Sequence, residues 1–216
     1  MISMKSTLIA LAFATSSIAA VTGIVVAKDH TKDHAKDALP RGSVSRAKGL
    51  EAWTRIEAVV THPRCANCHV DARAIPMWTP AGESKPRVHG MNIHGGKSRI
   101  GAETIRCSTC HMTSNQPNEP APAPLRAGID WQLAPVEFIW FGKSGAEICM
   151  QLKDSKRNGG RDAVALLEHL RHDASLNGFI PRAWEPGAGR TTPPGSFEDH
   201  IKDMALWGAA GQPCPN

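Results

Sequence analysis

RCANCH (Arg64–His69) recurs as RCSTCH (Arg106–His111), and the reading of this pair decides what kind of chain this is. Each copy sets two thiols three residues apart, with a histidine directly behind the second. Three chemistries use thiols so closely spaced: a covalent haem clamp, a redox dithiol, and half of a zinc site. Cys-x-x-Cys-His is the attachment signature of c-type haem. Two thiols on one turn can each add to one haem vinyl group, and the next residue then presents its imidazole to the iron. A four-thiolate zinc site would also use Cys-x-x-Cys twice, but zinc does not require a histidine behind each pair. A redox dithiol calls for a βαβ setting, and no such pattern surrounds either copy. The expectation is two covalent haem c groups. Cys65, Cys68, Cys107 and Cys110 attach them, and His69 and His111 are the proximal iron ligands.

The N-terminus agrees with that chemistry. Lys5 opens a short positive start, an uncharged run of apolar and small residues follows from Leu8 to Ala27, and the chain turns polar at Lys28. This reads as a secretory signal peptide over 1–27, cleaved after Ala27 or after Ala20. The alternative is an uncleaved N-terminal anchor, because the run approaches the ~20 residues that span a bilayer. Only that alternative gives the protein a membrane attachment. Both place the body of the protein outside the cytoplasm, in the periplasm, where haem is attached. A charged leader follows over 28–44, with the repeated Lys-Asp-His unit carrying His30 and His34, and the remaining domain covers 45–216.

That domain is poor material for an aliphatic core. The chain has no tyrosine, five phenylalanines, 16 prolines and 19 glycines, so it needs staples or a large apolar cofactor to supply buried surface. Its net charge of +5 is mild and no basic-aromatic module is present, which argues against nucleic acid as a partner. Two of the six cysteines, Cys149 and Cys214, lie outside the motifs. In an exported domain they most simply form a disulfide; two buried thiols are the other reading.

Helical periodicity appears in four places. Leu50, Trp53, Ile56 and Val60 recur at helical spacing within Ser45–Thr61. Further helices are expected over Ala146–Leu152, over Asp162–His172 with Val164, Leu167 and Leu170 inward, and over Ser196–Ala210. The last opens Ser196-Phe197-Glu198-Asp199, a capping-box-like start, with Phe197, Ile201, Met204 and Trp207 inward. Residues 70–100 read as loop, and Asn115–Pro124 as a proline-rich connector. No alternating run argues for a sheet. The expected fold is mainly α and loop-rich, wrapped around two haems.

Each iron then needs a sixth ligand or an open face. Histidines 62, 89, 94, 169, 172 and 200 are on offer, as are Met77, Met91, Met112, Met150 and Met204. His89 is the favoured distal ligand, because it lies in the segment between the motifs and can fold across a haem. His62 and His172 come next. His62 is too near Cys65 to cover its own haem but can reach the other. The basic residues Lys153, Lys156, Arg157 and Arg161 form either a docking patch for an acidic partner or a solvated helix end.

From His62 onward the chain resembles a family of small di-haem c-type cytochromes often labelled isoquinoline 1-oxidoreductase subunits. The resemblance rests on His62-Pro63, both haem motifs, and His89 with Met91-Asn92. It extends through Trp131-x-Leu133-Ala134-Pro135, Glu147-Ile148-Cys149, Gln151–Asp154, Arg157–Gly160, Glu168-His169 and His172-Asp173. It implies electron transfer, with a molybdenum hydroxylase or another cytochrome as redox partner. His94 is outside the pattern, and the chain carries no molybdenum or flavin motif of its own. Two function classes follow. The first is an electron carrier, or the haem subunit of a dehydrogenase, with both irons saturated. The alternative is a peroxidase- or reductase-like haem enzyme with one open iron. The ample supply of ligands, and the lack of any pattern marking a catalytic distal pocket, favour the carrier, which is not itself an enzyme.

Overall fold

The computed structural model describes residues 37–91, 93–96, 99, 101–102, 105–111, 127–187 and 189–216. The signal segment 1–27, His30, His34, Asn92, Met112 and the connector Asn115–Pro124 lie outside the described residues.

The chain is mainly helical. In order come α1 (Arg46–Val60), α2 (Pro63–Ala66), β1 (Met77–Trp78), β2 (Arg87–Val88), β3 (Gly101–Ala102), β4 (Ile105–Arg106) and a 3-10 turn at Cys107–Thr109. Then follow α3 (Gly145–Lys153), α4 (Ala163–Ser175), α5 (Phe179–Arg182) and α6 (Phe197–Ala209). The strands form two separate antiparallel ribbons. Met77 pairs with Val88 and Trp78 with Arg87 in one; Gly101 pairs with Arg106 and Ala102 with Ile105 in the other. The first ribbon falls in the stretch expected to be loop. Two-residue strands carry no alternation to read; backbone pairing holds them, and in the first ribbon Arg87 also lies over the Trp78 ring at 5.9 Å.

The four expected helices form, each with a side-chain cap that its sequence supplies. Ser45 caps α1 by accepting from the Lys48 N–H, and Asp162 caps α4 by accepting from Ala165. Reciprocal capping boxes start α3 (Ser144 with Glu147) and α6 (Ser196 with Asp199). One inward assignment is corrected: Val164 is exposed, and Leu166 joins Leu167 and Leu170 in the core instead. Val164 sits in the first turn of α4, just past its cap, on the outward side; its neighbour Ala163 is the residue that meets α6, at Gly208. Sequence periodicity also passed over α2 and α5, which are one turn each and too short to show it.

The core lies where α1 crosses α6. Trp53 and Trp207 meet there with ring centroids 5.3 Å apart, surrounded by Ile56, Ile148, Leu167 and Ile201. Gly49 lets the two elements close: a β-carbon there would stand 2.3 Å from the Cβ of Ala210. Cys149 and Cys214 are bonded. The bond straps the C-terminal tail onto α3, and Trp207 Nε1–H donates to the Pro213 carbonyl beside it at 3.0 Å. Among the described residues no helix is long and apolar enough to cross a membrane.

Candidate metal centres

The two motifs fold alike. His62 caps α2, its Nδ1 accepting from the Arg64 N–H at 3.2 Å, and Pro63 occupies the first turn, where its missing N–H costs nothing. The turn continues through the motif, with the N–H groups of Cys68 and His69 both donating to the Cys65 carbonyl at 3.2 Å. The second motif repeats this pattern on its 3-10 turn. Cys110 and His111 donate to the Cys107 carbonyl at 3.1 and 2.9 Å. In each copy one turn therefore carries both thiols and the imidazole.

A short segment before α3 holds His69. The His69 and Val70 carbonyls accept from Trp140 and Phe141 N–H groups, and the Trp140 ring lies flat on the imidazole, centroids 3.5 Å apart and planes 5° apart. His69 Nδ1 stands 3.3 Å from the Phe138 carbonyl. A carbonyl only accepts, so the proton belongs on Nδ1 and the lone pair on Nε2. That is the tautomer metal-ligating histidines adopt. The holding segment is fixed in turn from α3 and the loop after it: Gln151 donates to the Ile139 carbonyl at 2.6 Å, and Arg157 to the Glu137 carbonyl at 2.8 Å. Val70 takes φ +27°, a left-handed angle that a β-branched residue rarely adopts. The strain falls directly behind the imidazole.

His111 has the same kind of support. Trp131 packs on it at 4.0 Å between ring centroids, backed edge-on by Phe179. His111 Nδ1 is buried without a hydrogen-bond partner. His89 follows β2, its N–H donating to the Pro76 carbonyl at 3.0 Å. The first ribbon thereby brings it to His111, with ring centroids 6.1 Å apart. Two imidazoles on opposite sides of one metal ion, with metal–nitrogen bonds of about 2 Å, have ring centres about 6 Å apart. His89 Nδ1 stands 2.9 Å from the Gly90 carbonyl, so its lone pair too is on Nε2.

Burial sets the protonation of these groups. It pushes His69 down to about 3, against the Phe138 hydrogen bond and helped by His169. It pushes His111 and His169 down to about 4, with His89 adding to the first and Arg161, His172 and Arg99 to the second. These imidazoles are neutral at pH 7, as a metal ligand must be. The Cys65 thiol is pushed up to about 12, mainly by burial, and Cys68 is also raised. A redox dithiol needs a lowered thiol pKa, so these two cysteines do not suit that chemistry. Cys68 is solvent-exposed and yet shifted chiefly by desolvation. Cys107 contributes to the rise of Cys68, which puts the thiols of the two motifs within electrostatic reach of each other.

The remaining histidines separate by environment. His62 has both ring nitrogens engaged, Nδ1 in the α2 cap and Nε2 at 3.3 Å from Thr191 Oγ1. His94, His169 and His172 are exposed on the surface. His200 is buried beside Trp184. Met204 is in the core, and Met91 and Met150 are exposed. His169, not ranked among the distal candidates from sequence, is the histidine that acts on His69. His169 and His172 stand three apart on α4 and are neighbours on its surface. The supporting Trp140 and Phe138 gave no sequence signal beyond being aromatic.

The residues fit haem. Each motif presents two thiols on one turn and an imidazole with its lone pair on Nε2 or its Nδ1 orphaned, and one motif has a second imidazole at axial spacing. Among the described residues no three cysteine, histidine or carboxylate side chains converge as a metal cage. The four thiols are thus not gathered as a tetrahedral zinc site requires, whereas a haem iron takes only a pair of protein ligands. Comparison with protein-family models, curated proteins and solved structures finds no match to this chain.

Proposed function

We propose that this chain is an exported di-haem c-type cytochrome that carries electrons, alone or as the haem subunit of a dehydrogenase. Cys65 and Cys68 hold one haem and Cys107 and Cys110 the other, with His69 and His111 as proximal ligands. His89 is the sixth ligand of the second haem. His169, the histidine that acts on His69, takes that place at the first, and His62, whose ring nitrogens are already used, stays out of both. The observation that carries the reading is the doubled turn of two thiols and one imidazole, with His89 at 6.1 Å from His111. Haem supplies a reversible one-electron couple between ferric and ferrous iron.

The protein's own groups set the conditions for that couple. Trp140 and Trp131 pin the proximal imidazoles from the side, and the Phe138 carbonyl orients one of them, so little moves when charge changes. With His69 and His169 holding one haem and His111 and His89 the other, neither iron would keep a position for a substrate. The resemblance to di-haem cytochromes supports the same reading and makes a molybdenum hydroxylase or another cytochrome the proposed redox partner in the periplasm. Full chain expressed with a c-type maturation system should gain the mass of two haems, and its ferrous spectrum should not change under carbon monoxide. An unmodified mass with bound zinc would overturn the reading. Ready carbon monoxide binding at one iron would replace the carrier with a haem enzyme.

A further inference from the structure

The stretch that links α3 to α4 is tied down more than a helix end requires. Asn158 is buried at its centre, and its side-chain amide donates to the Leu152 and Arg161 carbonyls, both at 2.7 Å. Its Oδ1 accepts from the Arg161 N–H at 2.9 Å. Gly159 and Gly160 take φ +72° and +76°, left-handed angles that let the chain close around it. The end of α3 and the start of α4 are thereby drawn to one side chain.

This clamp is fastened to the first motif. Arg157 donates to the Glu137 carbonyl at 2.8 Å, and Gln151 to the Ile139 carbonyl at 2.6 Å. The same segment lays Trp140 on His69 and sets the Phe138 carbonyl at His69 Nδ1. Two hydrogen bonds therefore join α3 and its loop to the segment that holds a proximal imidazole.

The outer side carries charge and apolar surface together. Residues 153–161 hold Lys153, Lys156, Arg157 and Arg161 against one carboxylate, Asp154, which Arg157 engages at 3.4 Å. Lys153 and Lys156 are exposed. Of the flanking acids, Glu147 is held by Lys143 at 2.8 Å and Asp162 is turned to the α4 cap. Met150, one turn before Lys153, is 58% exposed, and Val164, just past the loop on α4, is 40% exposed. Apolar contacts rimmed by charge of one sign are what a transient protein interface presents. A lipid surface is met instead by an amphipathic helix with a continuous apolar face, and here the apolar side chains belong to two helix ends.

Deepening the di-haem reading, on which this rests, we propose that residues 153–161 with Met150 and Val164 are the docking surface for a redox protein with an acidic face, and that this partner exchanges electrons with the first haem. One electron leaves the reduced partner and takes the first iron from ferric to ferrous; no bond or proton moves. The cations steer the encounter and the apolar pair seats it.

Reduced flavodoxin, an acidic one-electron donor, serves as the probe in stopped-flow mixing with the haem-loaded full chain. At low salt, Lys153→Glu with Lys156→Glu should slow reduction of the first haem on the order of tenfold, and the gap should close as salt rises. Lys153→Arg with Lys156→Arg should keep the wild-type rate. So should Arg46→Glu with Lys48→Glu, the same charge reversal at exposed positions on α1. In a His89→Ala background the second haem is spectrally distinct, so the low-spin band follows the first alone. The proposal is overturned if the Lys153 and Lys156 reversal leaves the rate unchanged, if the α1 pair slows it equally, or if the slowed phase belongs to the second haem. Phosphatidylserine vesicles that sediment the wild type but not the reversed variant would assign the face to lipid and overturn it as well. Mass spectrometry beforehand establishes two covalent haems; without them it is the underlying reading that fails.

Discussion

His89 and His111 lie far apart in sequence, yet their rings stand 6.1 Å apart, tilted by 45°. The first ribbon makes this possible: β1 and β2 turn the chain back so that His89 emerges opposite the second motif and not the first. With Nδ1 of His89 engaged by the Gly90 carbonyl, the free lone pair is the one at Nε2.

Replacing His89 with Ala should turn one haem high-spin and open it to carbon monoxide while the other stays low-spin. Electronic absorption and electron paramagnetic resonance report both. Two unchanged low-spin signals in the variant would remove His89 from the coordination sphere.

His169 and His62 should separate under the same assay. His169→Ala is expected to open the first iron. His62→Ala should leave both spin states alone and cost about 1 kcal/mol of stability through the lost α2 cap, with His62→Asn recovering most of it. A high-spin signal from His62→Ala would reverse the ranking.

The Cys149–Cys214 bond closes a loop with a sequence separation of 65. The double serine variant should lose about 2–4 kcal/mol in denaturant unfolding. Thiol labelling of the denatured, unreduced wild type should leave both cysteines unmodified. Because the bond braces α3, which holds the segment under His69, the variant's first haem should also be the one whose low-spin spectrum is lost at the lower temperature on heating.

Acid stability should depend on His200. Burial pushes its pKa down to about 4, with Asp203 opposing, while an unfolded histidine titrates near 6.5. As pH falls the unfolded chain takes the proton first, so the stabilisation is complete above about 6.5 and is lost as pH drops toward about 4. The loss amounts to about 3 kcal/mol. In the haem-loaded protein His69, His111 and His169 are committed to iron, which leaves His200 and His62, the latter lowered by burial and by Arg64, in this window. Denaturation at pH 7.5 and 4.5 should show the difference in wild type and a flatter profile in His200→Phe; equal slopes would exclude His200 as the source.

Local signals carried much of this protein. The two Cys-x-x-Cys-His turns, the capping box at Ser196 and the apolar spacing of α1, α4 and α6 all act within one or two helical turns, where residue order and geometry are nearly the same thing. The spare pair Cys149 and Cys214 was legible by elimination. What tertiary structure alone decided was every relationship across the chain. It put Leu166 in the core in place of Val164, laid Trp140 flat on His69 and brought His89 to His111. The one-turn helices and two-residue strands that arrange these meetings are too short to leave a periodic trace. A histidine between the motifs can reach either of them until the backbone pairing of β1 with β2 makes the choice.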